Sequence, residues 1–104
     1  MNIKPEARAI ECDFSQAKVN WIPSDPELAQ FWNAVSIGLP LLEGYLIRSL
    51  AKAKTMLPTD RKDLYADCEL FCHQEANHSK VHIAFNDMVT VSYTHLTLPT
   101  TVFV

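Results

Sequence analysis

Clustered positive charge is missing from this sequence. Its 104 residues carry 9 Lys and Arg against 12 Asp and Glu, a formal net charge of -3, and the signs are interspersed. No basic face is available for a phosphate backbone, so nucleic acid is not an expected partner. An uninterrupted apolar run is missing too. The stretch from Val35 to Ile47 is broken by Gly38, Pro40 and Glu43, too short and too interrupted for a hydrocarbon core of about 30 Å, and no membrane partner is expected. The N-terminal dozen residues are charged and hold no apolar segment, unlike a signal peptide. Three cysteines do not make a disulfide framework, and a reducing cytoplasm fits best.

What is present is a helical pattern. With 48% apolar residues the chain is long enough for one small domain, burying about 60–65% of its unfolded surface. Residues 1–24 have no sustained period and predict an irregular arm, with a short strand near Ala9 to Phe14. At "SDPEL", Asp25 can cap a helix that has Pro26 in its first position, while Ser24 and Glu27 offer a competing capping box. Leu28, Trp32, Val35, Leu39, Leu46 and Leu50 then mark one apolar face that includes Glu43. Pro40 predicts a kink or a break there. Pro58 ends the helix, and Thr59 or Asp60 is placed to cap a second one over about residues 60–89. The fold class expected is mostly α, two long antiparallel helices after the arm, with residues 25–89 as the helical hairpin.

The second helix carries the chemistry. Leu64, Cys68, Phe71, Glu75, His78, His82, Phe85 and Val89 alternate at spacings of four and three, the seam of a helix packed in a bundle. An ionised Glu on such a seam costs several kcal/mol unless it is paired or ligated, and two imidazoles also need partners. Positions 75, 78 and 82 share roughly 60° of arc and about 10 Å of axis. Glu-x-x-His is the spacing by which bundle helices deliver a carboxylate oxygen and an imidazole nitrogen to a metal pair. Glu43, Glu75 and His78 are therefore candidate metal ligands, and His82 is a ligand, a support for one, or a catalytic general base. The alternative is a buried hydrogen-bonded cluster without metal. His73 lies off the seam and reads as solvated.

A zinc knuckle of Cys68, Cys72, His78 and His82 fails on geometry, because Cys68 and His82 lie about 21 Å apart along a continuous helix. The zincin pattern H-E-x-x-H is absent, since Gln74 follows His73.

"LEGYLIRSL" at 42–50 and "QEANHSKVHIAFN" at 74–86 resemble the bacterial family of predicted metal-dependent hydrolases, whose pattern is met here by Glu43, Gln74, Glu75, His78, His82 and Asn86. "CDFS" and "WIPSDPELAQFWNAVS" are similar to that family's lead-in. The resemblance implies the N-terminal half of a ferritin-like bundle, a divalent transition metal (iron, manganese or zinc), and hydrolysis of a small-molecule substrate by metal-activated water. A second Glu and a second Glu-x-x-His, which the family carries later in its chain, are not in this sequence. A di-iron oxidase or oxygenase is the rival enzyme class, and a non-catalytic metal-binding or helical interaction module is a third reading. Two helices with long apolar seams also predict a homodimer.

Residues 91–104 contain no Asp, Glu, Lys or Arg. "VSYTHLTLPT" back-translates to GTC TCT TAT ACA CAT CTG ACG CTG CCG ACG, which resembles the adapter of transposase-based sequencing libraries. The stretch is read as a non-native tail, and the chain before it as a fragment expected to be inactive alone. Resequencing the source DNA checks this: genomic reads should diverge after the codon for Thr90, and reads continuing through the stretch would establish it as native.

Overall fold

The computed structural model describes residues 3–97. They form two helices, α1 (Pro26–Lys54) and α2 (Lys62–Thr97), joined by residues 55–61 and preceded by an arm without regular structure. The chain is mostly α, as the sequence predicts.

Local chemistry sets the helix ends. Asp25 is the N-cap of α1: its Oδ1 accepts from the Leu28 N–H at 3.1 Å, so Asp25, not the Ser24–Glu27 box, satisfies the first free donors. Pro26 occupies the first turn, where its missing N–H costs nothing. Glu27 near the start and Lys52 and Lys54 near the end oppose the helix dipole. Thr55 closes the last turn by donating from Oγ1 to the Lys52 carbonyl at 2.6 Å. The second helix begins slightly later than expected, and neither Thr59 nor Asp60 caps it. Those two residues form a turn closed by Arg61 N–H to Pro58 O at 3.1 Å. Arg61 instead grips Asp63 with two hydrogen bonds of 3.0 Å, and that guanidinium holds the Asp63 carboxyl down at about 2.

Pro40 does not break α1, which runs through it. A proline lacks the N–H that would bond the carbonyl four residues back, here that of Ser36. That carbonyl is satisfied from outside the helix: Asn86 of α2 donates Nδ2–H to Ser36 O at 2.9 Å. The freed acceptor becomes a bond between helices.

The helices are antiparallel. Lys54 meets Glu69, Ile47 meets Cys72, Glu43 meets His78, and Ser36 meets His82 and Asn86, so numbers fall along one helix as they rise along the other. The buried stripe of α1 is Ala29, Asn33, Ser36 and Glu43, about one residue round from the apolar face expected. Leu28 and Trp32 of that expected face are largely exposed, whereas Val35 and Leu39 are half-buried. Small and polar side chains occupy the contact because it must hold the hydrogen bonds just described; bulkier apolar groups are displaced to its flanks. Ala29 and Val89 are the buried apolar residues among those described. By length and composition α1 could also cross a bilayer, although its buried stripe is polar.

The arm lies against both helices. Gln74 Oε1 accepts from the Arg8 backbone N–H at 2.6 Å and Asn77 donates to Arg8 O at 2.9 Å. Asn33 accepts from Trp21 Nε1 at 2.9 Å and donates to Val19 O at 3.0 Å. Phe14 packs edge-on against Phe85. The strand expected near Ala9 to Phe14 does not form: the described residues contain no strand for it to pair with, and the arm is held at Arg8 and Val19 by side chains of α2 and α1.

The second helix also continues past Val89 to Thr97, beyond the end near residue 89 that the sequence predicts. Extending an existing helix adds one hydrogen bond per residue and needs no new nucleus, and no proline intervenes before Pro99. Residues 98–104 of that tail lie outside the described residues.

The bond between Asn86 and the Ser36 carbonyl predicts a coupling. Asn86→Ala should cost about 1–3 kcal/mol, the penalty of orphaning a buried polar group. In a Pro40→Ala background the helix supplies its own N–H to Ser36 O, so the same change should cost clearly less. A double-mutant cycle by urea denaturation measures the difference; equal costs in both backgrounds would show that Pro40 does not create the acceptor.

Candidate metal centre

At the middle of the helix pair, α1 brings Glu43 and α2 brings His78 and His82 into one group. One potential ligand atom from each lies within 4.8 Å of the others. Glu43 is 2% exposed, whereas His78 is exposed and His82 half-buried. The cluster is therefore a wall with one deep carboxylate and two imidazoles opening outward.

His78 joins the other two. Its Nδ1 stands 2.8 Å from Glu43 Oε2, and its Nε2 stands 3.0 Å from His82 Nε2. The first contact is close but poorly aimed for a ring N–H, so both carboxylate oxygens of Glu43 remain buried without a directed hydrogen bond. Burial pushes the Glu43 carboxyl up, and the neighbouring Glu75 charge adds to this; His78 and His82 act in the opposite direction. Glu75 is thus near enough to be felt by Glu43, but it lies outside the three-residue group.

Behind His82 a chain of hydrogen bonds leads back into the helix contact. His82 Nδ1 lies 2.8 Å from Ser36 Oγ, Ser36 Oγ donates to Asn86 Oδ1 at 2.7 Å, and Asn86 Nδ2 reaches the carbonyl freed by Pro40. Ser36 is 6% exposed. Ser36 carries no periodic signal in the sequence, although it sits four residues before Pro40 and seven before Glu43, on the same stripe. Gln74 and Asn77 were also missed as anchors of the arm, and Asn33 likewise.

His73 is exposed, as expected of a residue off the seam, and Cys68 and Cys72 are half-buried free thiols.

The donor types suit a divalent ion, and the three ligand atoms, within 4.8 Å of one another, would draw in around one. At metal–donor distances of about 2.0–2.1 Å, neighbouring donors on one ion sit about 2.9–3.4 Å apart. The two Nε2 atoms match that separation, and without an ion two imidazole lone pairs so close need a proton between them. The Glu43 oxygens, buried without a directed hydrogen bond, also favour a nearby positive charge. One carboxylate and two imidazoles is also a donor set used by zinc hydrolases and by non-haem iron sites, with open positions left for reaction.

A two-helix contact carrying a buried Glu, two His and an outer layer of Ser and Asn is compatible with a helical metal-binding protein. A model of the family described as "predicted metal-dependent hydrolase" matches residues 6–99. The chain belongs to that family, as the motifs from Glu43 to Asn86 imply. Its match extends into the residues read as a non-native tail. Comparison with curated proteins and with solved structures found no match.

The electrostatics of Glu43 predict opposite effects with and without metal. Its folded-state pKa is raised above the ordinary value. Its contribution to stability is therefore full below the ordinary carboxylate range and is lost as pH rises through the raised value. Glu43→Gln should remove that loss, so the metal-free variant should melt at or above the wild-type temperature at pH 7. Zinc or manganese should raise the melting temperature of the wild type but not of the variant. Melting curves in chelator and in added metal check both signs; a metal-induced rise retained by Glu43→Gln would rule Glu43 out as a ligand.

Proposed function

We propose that the protein is a hydrolase whose divalent transition metal is held by Glu43, His78 and His82, with Glu75 joining from the same face of α2. The observation that carries this reading is Glu43, a buried carboxylate whose oxygens lack a directed hydrogen bond and one of which lies 2.8 Å from the His78 imidazole. An ion bound there would lower the pKa of a coordinated water and polarise the bond to be cleaved.

The chain's own residues supply the rest. Oε1 of Glu43 and Nε2 of His82 are the atoms placed to hold or pass a proton at the cluster, since Glu43 Oε1 has no partner and His82 is engaged on its other nitrogen. His82 thus serves as ligand or base. Beside it, an apolar cavity of about 350 Å³ is lined by Phe14, Trp21, Trp32, Leu39 and Phe85, with Ser36 and His82 in its wall. No charged side chain lines it, so it suits the uncharged, apolar portion of a small-molecule substrate.

The reading extends to a cytoplasmic protein built as half of a ferritin-like bundle. Exposed Phe31, Leu41, Leu42 and Tyr45 on α1 support association, with a homodimer as the simplest form.

Metal content separates this function from its rivals. Glu75→Ala and His78→Ala should each weaken zinc binding at least about tenfold, read by competition with a chromophoric chelator. Bound zinc or manganese without redox change supports hydrolysis. Two irons with an oxygen-sensitive visible spectrum would replace it with oxidase chemistry, and a wild-type chain that binds no metal would leave a helical interaction module.

A further inference from the structure

We infer that Ser36 is a positioning residue that fixes the ring of His82 in its Nδ1–H form, so that the bare Nε2 faces His78 and Glu43. The assignment follows from a sequence of forced choices that starts at a backbone carbonyl. Pro40 has no N–H, so the Ser36 carbonyl lacks its helical donor and takes one from Asn86 at 2.9 Å. A carbonyl oxygen only accepts, so the group of Asn86 facing it is the NH₂ and the other, Oδ1, faces Ser36 Oγ at 2.7 Å. An amide oxygen also only accepts, which consumes the single hydroxyl proton of Ser36. Toward His82 Nδ1, 2.8 Å away, Ser36 Oγ has lone pairs left and nothing to donate. His82 Nδ1 must carry the proton, and the neutral ring then leaves Nε2 unprotonated, 3.0 Å from His78 Nε2.

The amide flip that often leaves such assignments open is closed here, because turning Asn86 over would set its oxygen against the Ser36 carbonyl and its NH₂ against Oγ. A ring nitrogen that donates to a fixed acceptor behind it is the usual support for an imidazole that ligates through the other nitrogen. In those proteins the acceptor is a carboxylate, a carbonyl or water; here it is a serine hydroxyl whose direction a proline dictates from four residues away. The consequence for metal affinity rests on the function proposed above, whereas the form of the His82 ring does not.

The test uses the full chain labelled with ¹⁵N-histidine, in chelator at a pH where imidazoles are neutral, and reads the ring nitrogens by long-range ¹H–¹⁵N correlation. Wild-type His82 should show a protonated Nδ1 and a bare Nε2. Ser36→Ala should shift it toward the Nε2–H form, and Ser36→Thr, which keeps the hydroxyl, should restore the wild-type pattern. Zinc affinity should fall about 10–100-fold in Ser36→Ala and recover in Ser36→Thr. A general loss of packing would not select one ring form or be rescued by threonine. Wild-type His82 found as Nε2–H, or a Ser36→Ala ring unchanged from wild type, overturns the inference. A wild-type chain that binds no zinc defeats the metal reading instead, and the ring spectra still decide the role of Ser36.

Discussion

The arrangement of the helix pair depends on the burial of one carboxylate. Glu43 sits in the contact between α1 and α2 at 2% exposure, with no directed hydrogen bond to either oxygen. A charge in that position is unfavourable by several kcal/mol unless something positive faces it. Imidazoles facing it can supply that charge in part, by protonation, or a metal ion can supply it fully. This explains the polar character of the stripe from Asn33 through Ser36 to Glu43: once a carboxylate is placed between two helices, its neighbours must be groups that donate, accept or ligate. Ordinary core residues are consequently pushed to the sides.

Pro40 shows how a residue unfavourable to a helix can organise a site. Proline in a helix interior costs about 3 kcal/mol relative to alanine, and its ring normally bends the chain. In this helix the loss of one internal hydrogen bond leaves a carbonyl pointing at α2, and Asn86 takes it. The same asparagine receives the Ser36 hydroxyl, so a single backbone vacancy fixes the side chains of Asn86, Ser36 and His82 in turn. Local instability in α1 is converted into alignment between the helices at the point where the imidazoles must be held.

Much of this was legible in the sequence, because it follows from spacing. The two helices and the convergence of Glu43 with His78 and His82 come from periodicities of three and four, which geometry translates directly into faces, and the Asp25 cap comes from an acceptor side chain placed just before Pro26. The face of α1 was displaced by about one residue, since hydrophobic pattern identifies where apolar groups lie and not which flank of them meets a partner. Leu28 and Trp32 belong to the pattern yet remain largely exposed. The unbroken helix at Pro40 and the role of Ser36 were hidden for a different reason. Both depend on a donor from α2 that is 50 residues away in the chain, and a serine carries no periodic signal. The arm was illegible as a strand or a coil because its backbone is held by side chains of Asn33, Gln74 and Asn77, which read as surface polar residues until the fold brings the arm to them.

Polar contact inside and apolar surface outside is the reverse of a self-sufficient hairpin. The chain exposes 8314 Å², against about 5,900 Å² for a compact monomer of this mass, and Phe31, Ile37, Leu41, Leu42 and Tyr45 of α1 contribute to the excess. A hairpin that spends its shared face on chemistry has little apolar burial left with which to offset the entropy of ordering its backbone. Ala29 and Val89 cannot do so alone. Covering the outer faces of the helices and neutralising Glu43 with a cation would each add stability. Both act on the same element, because the exposed apolar side chains and the carboxylate alternate along α1.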